Sequence, residues 1–249
     1  MENKKYTIWA NRLLASSIYE MTLQGNTSFI TAPGQFINIQ LDGFYLRRPI
    51  SLCSWEEDQF TIIYKVVGKG TRFMSTLSAG TELDILTGLG NGFQLEAARD
   101  RQSVVIGGGV GVPPMYGLAR TMVKAGMKPQ VVLGFNTKEE SFYIERFREL
   151  GLEVTVTTAD GSLGIKGFVT DGLCSIDYDY YFCCGPKPML KAVYNRTNSR
   201  GQRFSGQLSF EEHMGCGFGA CMGCSCHTLT GSKRVCVDGP VFKSEEVQL

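Results

Sequence analysis

The sequence has few of the features that bring a protein to a membrane or to nucleic acid. No run in its 249 residues approaches the ~20 apolar residues of a membrane-spanning helix, and the N-terminus carries no apolar stretch or cleavage site of a signal peptide. The 25 lysines and arginines nearly balance the 24 aspartates and glutamates, so a net charge of +1 gives no general attraction for an anionic polymer. These absences predict a soluble, cytoplasmic protein that binds neither nucleic acid nor a membrane.

Cysteine, by contrast, is plentiful and unevenly distributed. The chain has nine cysteines, an odd number, and five of them lie between Cys216 and Cys236. A secreted disulfide scaffold normally has an even set and a signal peptide, whereas a local group in a cytosolic chain indicates a metal site. Cys216, Cys221, Cys224 and Cys236 follow the C-x4-C-x2-C pattern with a distal cysteine that is typical of plant-type [2Fe–2S] ferredoxins.

The spacing of these cysteines has a chemical reason and also an alternative. Two irons bridged by two sulfides need four thiolates, and glycines between the cysteines let backbone amides approach the sulfides. The alternative is a structural zinc site, for which Cys221 and Cys224 supply one C-x2-C knuckle. Cys226, the surplus thiol, is expected to pack beside the loop, and His213 and His227 are interpreted as structural or surface groups. The other cysteines without a pattern are predicted to be core residues: Cys53, Cys174 and Cys183.

Residues 1–98 show short strand-like runs separated by turn signals such as Pro33-Gly34 and Asp42-Gly43, which favours a barrel or a sandwich. A short helix is predicted over Phe73–Leu77. The predicted strands are Tyr6–Asn11, Ile18–Leu23, Gln35–Leu41, Ile50–Ser54, Gln59–Val67 and Glu82–Leu86.

From residue 99 to residue 208, strands alternate with helices, which predicts a doubly wound parallel α/β sheet. The strands are predicted over Ser103–Ile106, Gln130–Phe135, Glu153–Thr158, Tyr180–Cys184 and Arg203–Ser209. The helices are predicted over Pro113–Gly126, Glu139–Leu150, Lys166–Cys174 and Lys187–Asn198. Residues 209–249 are rich in glycine and cysteine with little periodicity, and we predict a small cluster-binding domain there.

Three segments of the N-terminal domain indicate a flavin site. Arg48-Pro49-Ile50-Ser51 combines an arginine that can hold a phosphate with a serine that can donate to a flavin ring nitrogen. The next strand carries Ile63-Tyr64-Lys65, whose aromatic ring can stack on the flavin or bond to its ribityl chain. Gly70 and Thr71 then open a helix whose backbone amides can meet the pyrophosphate. By itself the first segment is equally typical of a surface arginine pair beside a turn.

Two glycine segments indicate a nicotinamide site. Gly109, Gly111 and Pro114 form G-x-G-x-x-P between a strand and a helix, where backbone without side chains lets a pyrophosphate approach. Cys184 ends a strand, and Gly185 and Pro186 follow it. The alternatives are a tight turn and a buried thiol. Two acidic residues after the strand that ends at Phe135 favour NAD over NADP, namely Glu139 and Glu140.

The order of these motifs resembles the ferredoxin–NADP reductase superfamily, in which a flavin lies between a barrel and a nucleotide-binding domain. With the C-terminal cysteines, essentially the whole chain resembles the family of electron-transfer subunits of NAD-dependent (type 1B) dihydroorotate dehydrogenases. The segments that carry this resemblance are Leu46–Ser51, Gly88–Phe93, Gly107–Pro114, Ala159–Ser162, Gly167–Asp171, Cys184–Met189, Glu211–Cys224 and Val237–Phe242.

The resemblance implies an N-terminal antiparallel β-barrel that binds FAD, a nucleotide domain that binds NAD, and a [2Fe–2S] domain. It implies that Cys184 lies near the hydride-transfer carbon of the nicotinamide. It further implies a partner, the FMN-containing catalytic subunit, in a heterotetramer of two subunits of each kind. Single electrons would cross from the partner to the cluster, and FAD would pass a hydride to NAD.

Two other functions remain open at this level. The small subunit of an NADPH-dependent ferredoxin or sulfide reductase shares the layout of the motifs. A zinc-stabilised, non-catalytic binding module would account for the cysteines but would leave both glycine segments and Arg48–Ser51 unexplained.

Overall fold

The N-terminal residues form a closed antiparallel barrel in a computed structural model that describes residues 1–198 and 204–249. The strands follow one another around the barrel in the order β1-β2-β5-β4-β3-β6. Their bounds are Glu2–Ala15 (β1), Ile18–Gln24 (β2), Phe36–Ile39 (β3), Arg48–Trp55 (β4), Gln59–Lys65 (β5) and Glu82–Leu89 (β6), with helix α1 at Lys69–Ser75 before the last strand. All six predicted strands are confirmed, and the barrel rather than the sandwich is the architecture.

Two elements of the barrel differ from their predicted bounds. Strand β1 runs over fourteen residues because it pairs with β2 along one edge and with β6 along the other. Helix α1 begins at Lys69, four residues before the predicted start at Phe73, because the hydroxyl of Thr71 accepts the amide of Gly68 at 3.2 Å and caps the first turn. Turn chemistry therefore sets a helix start that hydrophobic periodicity does not reveal.

The two faces of β3 have different surroundings. Ile37 and Ile39 are buried inside the barrel core. Phe36 faces outward and packs with residues of the α/β sheet and the C-terminal segment. Because successive side chains alternate along a strand, Asn38 also faces outward, and it is fully buried there. The outer wall of the barrel is thus covered by the rest of the chain at this strand.

The second half contains the predicted parallel sheet, with strands in the order β10-β9-β8-β7-β11-β12. The strands are Ser103–Gly108 (β7), Gln130–Phe135 (β8), Val154–Thr158 (β9), Ile165–Lys166 (β10), Tyr180–Cys184 (β11) and Ser205–Ser209 (β12). The helices are Val112–Lys124 (α2), Ile144–Glu149 (α3), Val169–Gly172 (α4) and Lys187–Asn198 (α5). The order reverses between β7 and β11, and ligands of such sheets bind in the crevice at that point.

Two predicted helices are wrong in extent. The helix predicted over Glu139–Leu150 is a 3-10 turn and the short α3, separated at Tyr143, whose φ of 65° is left-handed. In place of the helix predicted over Lys166–Cys174, the structure has the shorter α4 and one 3-10 turn. Its first residues pair with β9 as a strand, and the carboxylate of Asp171 accepts the amide of Phe168 at 2.7 Å, which starts the helix later. The start of the predicted strand Arg203–Ser209 lies outside the described residues.

The C-terminal segment, predicted without periodicity, contains three short strands. Strands β13 (Ser225–Thr228) and β14 (Gly231–Arg234) form a hairpin, and β15 (Val241–Lys243) pairs antiparallel with β12 at the edge of the large sheet. Asn91, from the N-terminal half, donates to the carbonyl of Val241 at 2.8 Å. The division at residues 98 and 208 stays a prediction, and β15 ties residues 209–249 to the nucleotide sheet.

Three other cysteines were predicted to be core residues, and their burial confirms this for two of them. Cys53 and Cys183 are fully buried, as predicted, whereas Cys174 is exposed, so its assignment to the core is wrong. Cys174 lies in the 3-10 turn after α4, where the chain turns toward the surface. No helix among residues 1–198 and 204–249 is long and apolar enough to cross a membrane.

Candidate functional site

The four cysteines predicted to bind a metal fall into two pairs. The amide of Cys216 donates to the sulfur of Cys221 and the amide of Cys221 donates back to the sulfur of Cys216, both at 3.4 Å. In the second pair, the amide of Cys236 donates to the sulfur of Cys224 at 3.5 Å. The first pair is partly or fully exposed, and the second is buried.

Backbone amides make one of these sulfurs more acidic than a free thiol. Burial alone would raise the pKa of Cys216, but amide donors from Phe218 and Cys221 outweigh it and hold the pKa at about 7. Burial and the neighbouring Cys224 raise the pKa of Cys236 to about 12. Only deprotonated sulfur binds iron, so Cys216 is prepared for metal contact at neutral pH.

The geometry of the cysteine loop fits a two-iron cluster. Two pairs of thiols match the demand of two irons for two thiolates each, whereas a single zinc needs four ligands around one point. The glycines keep the sulfurs accessible, since a Cβ on Gly215 would lie 3.1 Å from the sulfur of Cys221. Within the described parts of the chain, no three His, Cys, Asp or Glu side chains are arranged to hold a single metal ion.

A cleft of about 300 Å³ opens between the barrel, the α/β sheet and the C-terminal segment. It brings together eight of the nine residues predicted to bind the flavin: Arg48, Pro49, Ile50, Ser51, Ile63, Tyr64, Lys65 and Thr71. The ninth, Gly70, lies behind Arg48, because a Cβ on Gly70 would overlap the guanidinium. Gly70 therefore provides the room that the predicted phosphate-binding arginine occupies. We call this space the flavin cleft.

Several residues of the flavin cleft were missed by the sequence analysis. Phe36 and Val67 belong to the barrel half, and the others come from the far side of the cleft: Val110, Ser209, Phe210, Glu211, Glu212, Met214 and Pro240. Five of these others lie at or just after the carboxyl end of β12, which is the edge where doubly wound sheets bind ligands. Their position after a predicted strand is the one signal that could have identified them.

Glu211 has an unusual place in the flavin cleft. The residue as a whole is exposed, but its side chain lines the cleft, where water has less access to the carboxylate than in open solvent. This burial raises the pKa of Glu211 above its ordinary value. A group bound in the cleft would cover the remaining open side.

A second cleft, of about 390 Å³, lies at the carboxyl ends of β7, β8 and β9, and we call it the nicotinamide cleft. Of the residues predicted to bind NAD, Gly109 and Pro186 line it. Gly111, Pro114 and Gly185 do not line it but shape its walls. Pro114 is buried in the first turn of α2, and a Cβ on Gly185 would overlap the side chain of Met189.

The two clefts meet at the glycine loop. Gly109 lines the nicotinamide cleft, and its neighbour Val110 lines the flavin cleft. Lys65 of the flavin cleft also contacts Glu140 of the nicotinamide cleft, with 3.3 Å between nitrogen and oxygen. Asn136 donates to the same carboxylate at 2.9 Å. Ligands in the two clefts therefore lie on either side of a single loop.

Cys184 lies at this junction but is not among the described lining residues of either cleft. Its thiol is buried beside Ser209, and Glu211 is nearby. Burial, with the charge of Glu211, raises the pKa of Cys184 to about 12. The thiol is accordingly protonated at neutral pH and can act as a neutral neighbour but not as a nucleophile.

Family models match both ends of the site. Residues 211–248 match the iron–sulfur cluster binding domain of dihydroorotate dehydrogenase B, and residues 105–195 match the oxidoreductase NAD-binding domain. The first match covers the whole cysteine loop, which favours the cluster over the zinc alternative.

Relatives match the chain over its full length. It is 45% identical over 258 residues to the electron transfer subunit of dihydroorotate dehydrogenase B (NAD+) of Geobacillus kaustophilus, covering 99% of this chain and 98% of that protein. It is 40% identical over 264 residues to the subunit of the same name from Fusobacterium nucleatum, covering 100% of each.

Solved structures share the fold. A chain from the NADH-dependent reduced ferredoxin–NADP oxidoreductase superposes with a TM-score of 0.85 at 29% identity, covering 98% of this chain and 89% of that one. The FAD/NAD-binding domain of a nitric oxide dioxygenase from Vibrio cholerae superposes with a TM-score of 0.67 at 19% identity, covering 80% of this chain and 93% of that one. At 19% identity, the second likeness shows the fold alone.

Proposed function

This chain belongs to the family of electron transfer subunits of dihydroorotate dehydrogenase B (NAD+), and on that premise we propose that it passes electrons from the FMN of a catalytic dihydroorotate dehydrogenase subunit to NAD+. The reaction oxidises dihydroorotate to orotate on the partner, in the cytoplasm, during UMP synthesis. The two subunits form a heterotetramer with two copies of each.

One observation carries this proposal: a single cleft touches all three parts of the route. The flavin cleft is lined by Ser51 of the barrel, by Val110 of the glycine loop, and by Met214, which lies two residues before the first cysteine of the metal loop. A flavin in this cleft has the nicotinamide cleft on one side and the cysteine loop on the other. The order of the three sites in space is the order in which electrons must travel.

The chemistry supplied when the groups are bound is one-electron transfer by the cluster and an exchange between one-electron and two-electron transfer by FAD. Arg48, beside Gly70, is placed to hold a phosphate by charge-assisted hydrogen bonds. Ser51 offers a hydroxyl to a flavin ring nitrogen. Thr71 lines the same cleft from the first turn of α1.

On the nicotinamide side, Gly109 and Pro186 form the wall along which the ring enters. The protonated thiol of Cys184 lies behind that wall and adds no negative charge where a hydride leaves the flavin. Glu140 and Asn136 line the outer part of the cleft, where a carboxylate repels a 2′-phosphate and so favours NAD over NADP.

At the opposite end, Cys216, Cys221, Cys224 and Cys236 are the residues that would hold the cluster. Cys221 is exposed, and three apolar side chains of the same segment are exposed too: Phe218 at 47%, Met222 at 55% and Val237 at 43%. Exposed apolar side chains around a redox site are typical of a protein interface. We infer that the catalytic subunit docks here.

The first test combines spectra with an assay. The full chain, reconstituted anaerobically with iron, sulfide and FAD, should show flavin absorption and, after dithionite reduction, a rhombic S = 1/2 EPR signal. Combined with the catalytic subunit of the same organism, it should reduce NAD+ when dihydroorotate is added, and neither subunit alone should do so.

A matched pair of variants tests the ligand assignment. Cys221→Ser should lose the EPR signal, whereas Cys226→Ser should keep it, because Cys226 belongs to neither thiol pair. A colourless reconstituted chain would sink the electron-transfer proposal. Steady oxidation of dihydroorotate by this chain without its partner would contradict the division of roles.

The high TM-score with the ferredoxin–NADP oxidoreductase chain favours a second candidate, the small subunit of an NADPH-dependent ferredoxin reductase. That function predicts reduction of the flavin by NADPH at least as fast as by NADH, and electron exchange with reduced ferredoxin. A stopped-flow comparison of NADH and NADPH separates the two candidates.

A further inference from the structure

Asn38 connects the outside of the barrel to the cysteine loop. Its side chain is fully buried, although asparagine is a residue that usually reaches solvent. The side-chain amide donates to the backbone carbonyl of Cys216 at 3.2 Å. The two residues are separated by 178 positions in the chain, so this contact exists only because the barrel and the loop fold against each other.

The surroundings of Asn38 indicate that this contact is specific. A Cβ on Gly217 would overlap the amide nitrogen of Asn38, so the glycine after Cys216 leaves the space that the amide fills. Gly217 has a φ of 79°, which brings its backbone close to the barrel. The side-chain oxygen of Asn38 is buried without a hydrogen-bond partner in the described residues, and burying an unpaired oxygen is unfavourable. An apolar side chain would avoid that cost but could not bond to Cys216.

The other end of Asn38 is joined to the flavin segment. In the barrel, Asn38 is paired with Pro49 on β4. Its backbone carbonyl accepts the guanidinium of Arg47 at 3.3 Å. Phe36, two residues earlier on the same face, lines the flavin cleft. A single residue thus touches the strand that holds the flavin motif and the backbone of a cluster ligand.

We propose that Asn38 is a positioning residue for electron transfer, which holds the Cys216 end of the cysteine loop at a constant distance from the flavin cleft. The inference rests on the proposed function, because it requires a cluster at Cys216. A loop held only by its own turns could shift relative to the barrel. The rate of electron transfer between cluster and flavin falls steeply as the distance between them grows. The amide of Asn38 removes that freedom.

The test uses the full chain carrying FAD and the reconstituted cluster. Asn38→Leu keeps a similar volume and removes the hydrogen bond, and Asn38→Asp replaces the donor by a carboxylate that repels the Cys216 carbonyl. In both variants, a chelator should remove iron about tenfold faster than from the wild type, the factor that corresponds to one lost hydrogen bond. FAD content should stay at the wild-type level.

Two further measurements distinguish a positioning role of Asn38 from a role in stability alone. After NADH reduces the flavin by a hydride, one electron passes to the cluster, and the bleaching of the cluster should be slower in Asn38→Leu. The reduction potential of the cluster should fall in Asn38→Asp, since a new negative charge disfavours the added electron. The control is Gln40→Leu, one residue beyond the end of β3, whose amide bonds to the carbonyls of Leu41 and Phe44 rather than to the loop.

The proposal is overturned if, in Asn38→Leu, the cluster bleaches and the iron is lost at the wild-type rates. It is also overturned if Asn38→Leu loses FAD and cluster together. Should Asn38→Leu not fold, a wild-type potential and EPR spectrum in Asn38→Asp decide against it. A wild-type chain that binds no cluster overturns this inference together with the proposed function, whereas a normal wild type with unaffected variants overturns this inference alone.

Discussion

Cysteine shows how strongly the surroundings of one residue decide its chemistry in this protein. At Cys216, amide donors from the glycine-rich loop hold the pKa at about 7. At Cys184, burial raises the pKa to about 12. The first thiol is prepared to bind iron and the second to remain a neutral group at the junction of the two clefts. The residue type is the same, and the difference comes from the amide donors, the access of water and the nearby charge of Glu211.

Removal of the Cys184 thiol tests its proposed place beside the nicotinamide. We expect Cys184→Ala to slow hydride transfer between NADH and FAD by up to about 10²-fold, because the wall between the clefts then loses its support. Stopped-flow absorbance of the flavin measures the rate. The control is Cys183→Ala, whose side chain is buried in the hydrophobic cluster on the opposite face of β11. Wild-type rates in Cys184→Ala would remove this residue from the site.

Glu211 should make stability depend on pH. Burial raises the pKa of Glu211 in the folded chain above its value in the unfolded chain, so its stabilising contribution is present at low pH and is lost as the pH rises through the folded value. Glu211→Gln is neutral at every pH. Its melting temperature should therefore exceed that of the wild type by an amount that grows as the pH rises from the ordinary pKa of glutamate through the raised pKa of Glu211. Thermal unfolding of both proteins measures this difference.

The control for this experiment is Glu245→Gln, since Glu245 is exposed like Glu211 but does not line the flavin cleft. A melting-temperature difference that appears in Glu211→Gln and not in Glu245→Gln assigns the effect to the cleft. If the melting-temperature difference between Glu211→Gln and the wild type stayed constant or decreased as the pH rose, the carboxylate would be as well solvated in the folded chain as in the unfolded one.

At the scale of the elements, close approach of backbones assembles the site. Helix α2 lies directly on the barrel, because a Cβ on Gly117 would lie 2.6 Å from the carbonyl of Cys53 in β4. At its N-terminus, Gly111 lies against the carbonyl of Cys184 at the end of β11. Both contacts need a residue without a side chain, so two glycines set the distance of α2 from its neighbours.

The contact at Gly111 can be tested by a single methyl group. Gly111→Ala would place its Cβ on the carbonyl of Cys184, and neither backbone can move aside as a side chain would. We expect a loss of about 1–3 kcal/mol in the free energy of unfolding and a higher KM for NADH. The control is Gly68→Ala, where the added Cβ meets open space and the cost should stay below about 1 kcal/mol. Equal costs at both positions would refute the argument.

At the scale of the whole molecule, the contacts that join the barrel to the α/β sheet include three between polar side chains. The hydroxyl of Tyr143 donates to the buried Glu20 at 2.8 Å. Lys65 pairs with Glu140 between the two clefts, and Arg120 of α2 pairs with Glu56 of the barrel. Surface pairs contribute little to stability, so the buried contact of Glu20 is the one expected to hold the halves together.

Tyr143→Phe should measure that contact. Loss of the hydroxyl leaves one oxygen of Glu20 without its donor, and we expect the free energy of unfolding to fall by about 1–3 kcal/mol. Tyr116→Phe is the control, since the ring of Tyr116 meets that of Tyr143 edge to face with centroids 4.9 Å apart and its hydroxyl has no hydrogen bond within the described residues. Its cost should be within about 0.5 kcal/mol. Denaturant unfolding of the holoprotein provides both values.

Comparison of the predictions with the structure shows where short-range information was sufficient. The six barrel strands and the alternation of strands and helices follow from patterns within ten or so residues, and they are confirmed. The predicted helices over Glu139–Leu150 and Lys166–Cys174 were wrong in extent, because a left-handed residue and a side-chain cap interrupt them. Cys174 was placed in the core because its type is usually buried, but its turn faces solvent.

The sequence by itself determined which chemical groups this protein can assemble: four cysteines at ferredoxin spacing, a flavin motif and two glycine segments. Those features are local, because the spacing of ligands and the freedom of glycine are properties of a few consecutive residues. Only the tertiary structure decided what faces them. Glu211 and Val110 reach the flavin cleft, and Asn38 reaches Cys216, through contacts between distant parts of the chain. Such contacts depend on the packing of whole elements, which no short pattern of residues encodes.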